Sequence, residues 1–129
     1  MARDSRTESW PGAFIAFEGI DGSGKSTVAT AIARKLKHDW ERAVVLTREP
    51  GGTPLGEGVR ALVLSSASAD MTGVAELLLF SAARAQHVAK VIEPQLQHGS
   101  IIICDRFTDS TLAYQWGGRG IPRQTIEAA

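Results

Sequence analysis

An α/β fold, with a parallel sheet layered between helices, is what this 129-residue sequence predicts. Three observations carry the prediction. Short apolar runs at 13–18 (AFIAFE), 43–47 (AVVLT) and 100–105 (SIIICD) have the length and β-branched content of buried strands. Longer segments with apolar residues at helical spacing separate them. A glycine-rich turn leads from the first strand straight into the first helix. Strand–helix alternation of this kind builds βαβ units, whose crossovers make the sheet parallel.

The elements follow in order. Residues 1–12 (MARDSRTESWPG) are polar and lack the apolar segment of a secretory signal, so they are expected to be a disordered leader. Trp10 within them has no assigned role. A helix is expected over 24–38, with Val28, Ala29, Ile32, Ala33 and Leu36 as its inner face. After the second strand comes the loop REPGGTP, then a helix over about 55–65. Residues 72–97 carry one long helical pattern that includes Leu77, Leu78, Phe80, Val88 and Val91, and Pro94 is expected to kink it or break it near its end. The run 100–105 is the clearest strand. Helical patterns at about 107–116 and 122–129 complete the chain. Three strands leave two open edges, and no helix-stop signal follows Ala129. Residues 13–129 are therefore expected to be the N-terminal portion of an incomplete domain.

Composition narrows the classes. Fourteen basic residues balance fourteen acidic ones, which gives no support for a general nucleic-acid or membrane-surface binder. One cysteine, Cys104, excludes an internal disulfide and a multi-cysteine metal site, and points to a reducing, cytoplasmic compartment. No run approaches the length of a membrane span.

The strongest chemical signal is Gly19-Ile20-Asp21-Gly22-Ser23-Gly24-Lys25-Ser26-Thr27. It has the GxxxxGKS spacing of a phosphate loop, with a strand before it and an amphipathic helix after it. Glycines let the backbone wrap a phosphate closely, and the loop amides and helix N-terminus supply partial positive charge. Lys25 is expected to reach the β- and γ-phosphates of ATP, and Ser26 to ligate Mg²⁺. Asp105, ending the third strand, is placed to assist that metal, as is Asp21; Asp105 could instead cap the following helix. The fold class is thus a P-loop NTPase-type three-layer αβα architecture, here incomplete. A GTPase would need an Asn-Lys-x-Asp element, which is missing, and this length is short for an ATPase motor.

FEGIDGSGKST, TREPGG, LLLFSAARAQH, DRFTDSTLAYQ and GGRGI occur in that order, and their spacing resembles that of bacterial thymidylate kinases. The resemblance runs from Phe14 to Ile121. It implies transfer of a phosphoryl group from MgATP to dTMP. Lys25, Asp105 and Arg106 would form the catalytic set. Arg60 and Arg106 would hold the acceptor phosphate, with Arg48 and Glu49 shaping the same site. Phe80 and Arg84, four residues apart on one helix face, could stack on a pyrimidine and bond its edge, as the resemblance implies; the residues alone favour a core phenylalanine and an ion-paired arginine. Ser110, Thr111, Tyr114 and Gln115 would line the same pocket, and Arg119 would touch phosphate or flank a turn. The acidic Asp21 cannot supply the cation that some members place in the loop. The resemblance then implies lid arginines and an adenine-binding segment beyond Ala129, so that this form alone would be weakly active or inactive. It also implies a homodimer through helix packing, unless the 72–97 helix spends its apolar face on the sheet. A non-catalytic nucleotide-binding fragment, or a kinase for another deoxynucleoside monophosphate, are the competing readings.

Overall fold

The computed structural model describes residues 11–20, 22–40, 42–107, 118 and 120–128. The expected leader with Trp10, the expected helix over about 107–116 beyond its first residue, and the candidates Asp21, Ser110, Thr111, Tyr114, Gln115 and Arg119 lie outside those residues.

Three strands pair in parallel: β1 (Ala13–Phe17), β2 (Val44–Arg48) and β3 (Ile101–Asp105), in the spatial order β1-β3-β2. Ile101, Ile102, Ile103 and Cys104 are at most 3% exposed, because β3 is the middle strand with helices on both faces. An unbroken apolar run is what such a position demands. Fully burying each isoleucine contributes about 1.5–3 kcal/mol. The strands β1 and β2 lie on either side of β3, and Ile15 and Leu46, level with Ile103 on either side, are 39% and 41% exposed.

Helix α1 (Lys25–Asp39) lies on one face, where Ala29 and Ala33 meet Val44, Ile101 and Ile103, with Phe17, Ile32 and Leu36 at the margin. Small residues let the helix axis come close to the sheet. Val28, expected on this face, is 48% exposed. It lies about 100° around the helix from Ala29, beyond the stripe that Ile32, Ala33 and Leu36 define. On the other face, the stretch expected as one helix over 72–97 is three pieces: α3 (Gly73–His87), a π-helical segment (Val88–Ile92) and α4 (Glu93–Gln97). The Glu93 amide donates to the Val88 carbonyl, five residues back. Pro94 has no N–H to continue the α-helical ladder, and the wider turn just before it places it in the first turn of α4, where none is needed.

Helix α2 (Pro54–Leu64) packs on α3. The buried Thr53 begins it, its hydroxyl accepting the Gly56 amide at 2.9 Å. The final helix, α5, is Arg123–Ala128, and Ile121 before it packs on Leu77 of α3. Arg42 ties the ends of two strands together, donating to the Gly99 carbonyl at 2.7 and 3.0 Å and to the Pro11 carbonyl.

The register decides where chemistry can happen. Phe17, Asp105 and Arg48 pair across the three strands in one row, the last at the carboxyl edge. The phosphate-loop sequence follows β1 at that edge, and the Glu49–Thr53 loop follows β2. Parallel sheets bind ligands in the crevice outside these strand ends.

Candidate nucleotide site

The phosphate loop comes first. Gly24 sits at the N-terminus of α1 with φ 85°, a left-handed conformation that glycine adopts without strain. No acidic residue of α1 itself occupies its first turn. Lys25 lies 3.6 Å from Asp105 Oδ1, and its side chain is only 10% exposed. The Ser26 hydroxyl donates to Asp105 Oδ2.

Asp105 Oδ1 is buried and accepts no hydrogen bond. A buried carboxylate oxygen without a donor is costly, of order 1–3 kcal/mol; the Lys25 ammonium, 3.6 Å away, offsets part of that, and a cation bound directly would complete it. A hydroxyl and a carboxylate beside a phosphate loop form the oxygen-rich set that suits Mg²⁺, which usually keeps waters and substrate phosphates as its remaining ligands. The residues present therefore fit a magnesium ion, with Ser26 and Asp105 as the protein ligands.

These groups open onto a cavity of about 260 Å³. Lys25, Ser26 and Asp105 form one side; Arg48, Glu49 and Arg60 approach from the β2 loop and α2; Phe80 comes from α3 and Arg106 from the end of β3. The Arg60 guanidinium is steadied by the Pro50 carbonyl at 3.3 Å. Arg106 adopts φ 70°, rare for a residue with a side chain. Its amide donates to the Phe17 carbonyl at 2.9 Å, and its carbonyl accepts from Cys104 Sγ at 3.1 Å. Backbone held in that region costs about 1–3 kcal/mol and concentrates at functional sites.

Arg84 is reached through Glu49. Glu49 Oε2 accepts from Arg84 Nε at 2.7 Å, and the guanidinium carbon lies 4.9 Å from the centre of the Phe107 ring. Phe107 in turn meets Phe14 edge-on, with ring centres 4.9 Å apart, and its amide donates to Glu18 Oε1 at 2.8 Å. The ion-paired arginine that the sequence left open is thus present, while Phe80 lines the cavity.

Arg48 pairs with Glu57 of α2 at 2.9 Å, both side chains nearly half exposed. Arg48 and then the Gly52 amide hold the Glu57 carboxyl below its ordinary value, and Glu57 raises that of Arg48. Burial pushes the Cys104 thiol up, so it stays protonated and inert. Among the described residues no group of three or more His, Cys, Asp or Glu side chains forms a metal site.

Sequence reasoning missed Thr47, Glu57, His87 and Phe107. His87 is fully buried, with Nδ1 2.9 Å from Glu49 Oε1 and Nε2 2.7 Å from the Thr47 hydroxyl. A signal for it existed: it falls three residues after Arg84, hence on the same helix face.

A strand, a glycine-rich loop and a helix in continuous sequence, with an acidic strand end beside the loop lysine, define a P-loop α/β protein. Comparison with known proteins sharpens that class. The family model for thymidylate kinase matches residues 17–127, and the chain belongs to the thymidylate kinase family. It is 51% identical over 114 residues to the thymidylate kinase of Trichlorobacter lovleyi, covering 88% of this chain and 53% of that protein. It is 53% identical over 117 residues to that of Pseudomonas syringae pv. syringae, covering 91% and 55%. The crystal structure of thymidylate kinase from Ehrlichia chaffeensis superposes with a TM-score of 0.84 at 47% identity, over 91% of this chain and 62% of that one. The chain thus spans just over half the length of the two relatives compared. No helix among the described residues is long and apolar enough to cross a membrane.

Proposed function

We propose that this chain carries the phosphate-donor and acceptor-nucleotide sites of a dTMP kinase, which transfers the γ-phosphoryl group of MgATP to dTMP and releases dTDP and ADP. One observation carries the reading: Lys25, Ser26 and Asp105 face the same cavity as Arg60, Phe80 and Arg106. Donor and acceptor phosphates would meet there.

An acceptor phosphate oxygen attacks the γ-phosphorus as the bond to the β-phosphate oxygen breaks. The acceptor is already ionised, so no strong base is required. Phosphoryl transfer depends mainly on positioning and charge stabilisation. Lys25 and the loop amides grip the donor, and Arg60 and Arg106 align the acceptor phosphate. Phe80 offers a face for the thymine ring, and Arg84, braced by Glu49, a donor for its edge. Ser26 and Asp105 would hold Mg²⁺, whose charge offsets that of the donor phosphates. Asp21, Ser110, Thr111, Tyr114 and Gln115 belong to the same proposal through the family resemblance alone. Such chemistry draws on cytoplasmic ATP and dTMP. A homodimer is also proposed, supported by Leu55, Leu62, Val74 and Leu78 of α2 and α3, each 46–57% exposed; sedimentation equilibrium tests it.

The test is ADP release with MgATP and, in turn, dTMP, dUMP, dCMP and AMP. Weak turnover at most is expected of this chain alone, and what turnover there is should be selective for dTMP and lost in Lys25→Ala. Turnover faster with another acceptor would overturn the assignment of substrate. A chain that binds dTMP but turns over none of the four is a binding unit, and the proposed activity fails for it.

A further inference from the structure

We propose that His87 is a positioning residue for the acceptor base: through the Glu49 carboxylate it sets the orientation of the Arg84 guanidinium. The inference rests on the reading of Arg84 as a base-edge donor given above.

The geometry forms a relay with fixed polarity. An ionised carboxylate only accepts hydrogen bonds. Glu49 Oε2 takes one from Arg84 Nε at 2.7 Å, and Oε1 takes the other from His87 Nδ1 at 2.9 Å. Nδ1 therefore carries the proton. In the neutral ring Nε2 is then an acceptor, and the Thr47 hydroxyl, 2.7 Å away, donates to it. With both ring nitrogens engaged, the imidazole cannot turn. With both carboxylate oxygens engaged, neither can Glu49, which is 6% exposed. The plane of the Arg84 guanidinium follows, since its Nε is committed to Glu49 on one side and Phe107 lies beneath.

The β2 loop is shaped around this ring. Gly52 has φ +77°, and a Cβ there would come within 2.5 Å of His87 Nε2 and 2.6 Å of the Thr47 hydroxyl oxygen. The backbone closes onto the imidazole as tightly as a missing side chain allows.

Three variants and two readouts test the relay. His87→Leu removes both bonds; His87→Asn keeps an amide donor near the Nδ1 position; Thr47→Val, the mildest, releases only Nε2. The first readout is the Arg84 Nε–H resonance of ligand-free chain by ¹H–¹⁵N NMR. It is expected to shift and exchange faster in His87→Leu, and to return towards wild type in His87→Asn. The second is calorimetric titration with dTMP and, separately, with ATP. His87→Leu should weaken dTMP binding about tenfold or more, and His87→Asn by no more than about threefold. ATP binding should be unchanged. In a Glu49→Gln background His87→Leu should add less than about a twofold loss, because the two act in series.

An Arg84 signal and dTMP affinity that survive His87→Leu would overturn the proposal. So would an equal loss for both nucleotides, the mark of a merely structural role. Should His87→Leu fail to fold, Thr47→Val decides: an Arg84 resonance unmoved when Nε2 loses its partner refutes the relay. If wild type binds no dTMP, the reading of the site fails, and the positioning role for the base falls with it even where the NMR arm shows the coupling.

Discussion

Replacing Glu49 by glutamine tests how much the buried pair contributes, with an exposed pair in the same chain as its control. The Glu49 carboxylate is 6% exposed and accepts from Arg84 at 2.7 Å and His87 at 2.9 Å. Hydrogen bonds to a charged group contribute about 1.5–3 kcal/mol each. Glutamine keeps one acceptor oxygen, so one partner is retained, while its amide turns donor against donor towards the other. Arg84, with 22% of its side chain exposed, recovers part of the loss from water. The expected destabilisation is about 2–3 kcal/mol. Glu57→Gln breaks the Arg48 pair, whose side chains are 48% and 46% exposed, and should cost less than about 0.5 kcal/mol. Urea unfolding followed by circular dichroism reads both. With a slope of about 1.5–2 kcal/mol per molar, the midpoint should fall by about 1–2 M for Glu49→Gln and by less than about 0.3 M for Glu57→Gln. Equal shifts would refute the claim that burial separates the two pairs.

The remaining predictions concern pH and close packing. The Glu57 carboxyl is depressed first by Arg48 and then by the Gly52 amide, so its contribution is present above the ordinary carboxylate value and lost as pH falls through the depressed one. Melting temperature measured from pH 5 downwards should therefore fall less steeply in Glu57→Gln than in wild type. Cys104 is shifted the other way, by burial: its contribution is intact below the ordinary thiol value of 9.0 and is lost as pH rises beyond it. Native chain at pH 8 should then react with a disulfide reagent only as fast as it opens, and at once in denaturant. Gly52→Ala drives a methyl into His87 and Thr47 at a left-handed position, and should cost about 1–3 kcal/mol. Gly22→Ala, at φ +81° with nothing within 4 Å, should cost no more than the backbone strain of about 1–2 kcal/mol. Thermal unfolding compares the two.

What could be read from sequence were features that one stretch of chain carries alone. Ile101-Ile102-Ile103-Cys104 announces a strand buried on both faces, because only a middle strand tolerates no polar side. Pro94 announces a break, though not its form. The phosphate loop is legible because its glycines, Lys25 and Ser26 act within nine residues. Features made by chain segments far apart were not legible. Glu49 and His87 are 38 residues apart, and only the folded sheet brings the β2 loop against α3. Whether Val28 or Leu36 turns inward depends on how α1 rolls on the sheet, which periodicity leaves open by a residue. Arg106 reads as a cation, but its left-handed backbone is imposed by Phe17 and Cys104, one of them on another strand.

The widened turn at Val88–Ile92 has a consequence for how the chain can tolerate insertion and loss. His87 and Ile92 are both buried, five residues apart. On a regular α-helix such a pair would point in different directions, but where the hydrogen bonds run five residues back the two come into line. The segment works as a phase correction between two stretches that answer to different partners: α3 must place Phe80 at the cavity and Arg84 and His87 against Glu49, while the chain beyond must keep Ile92 buried. One residue deleted there would remove the wide turn that accommodates Pro94 and rotate one stretch against the other by about 100°. The irregular turn is thus what lets one helical rod serve two clocks, and the residue count between His87 and Ile92 is itself part of the site.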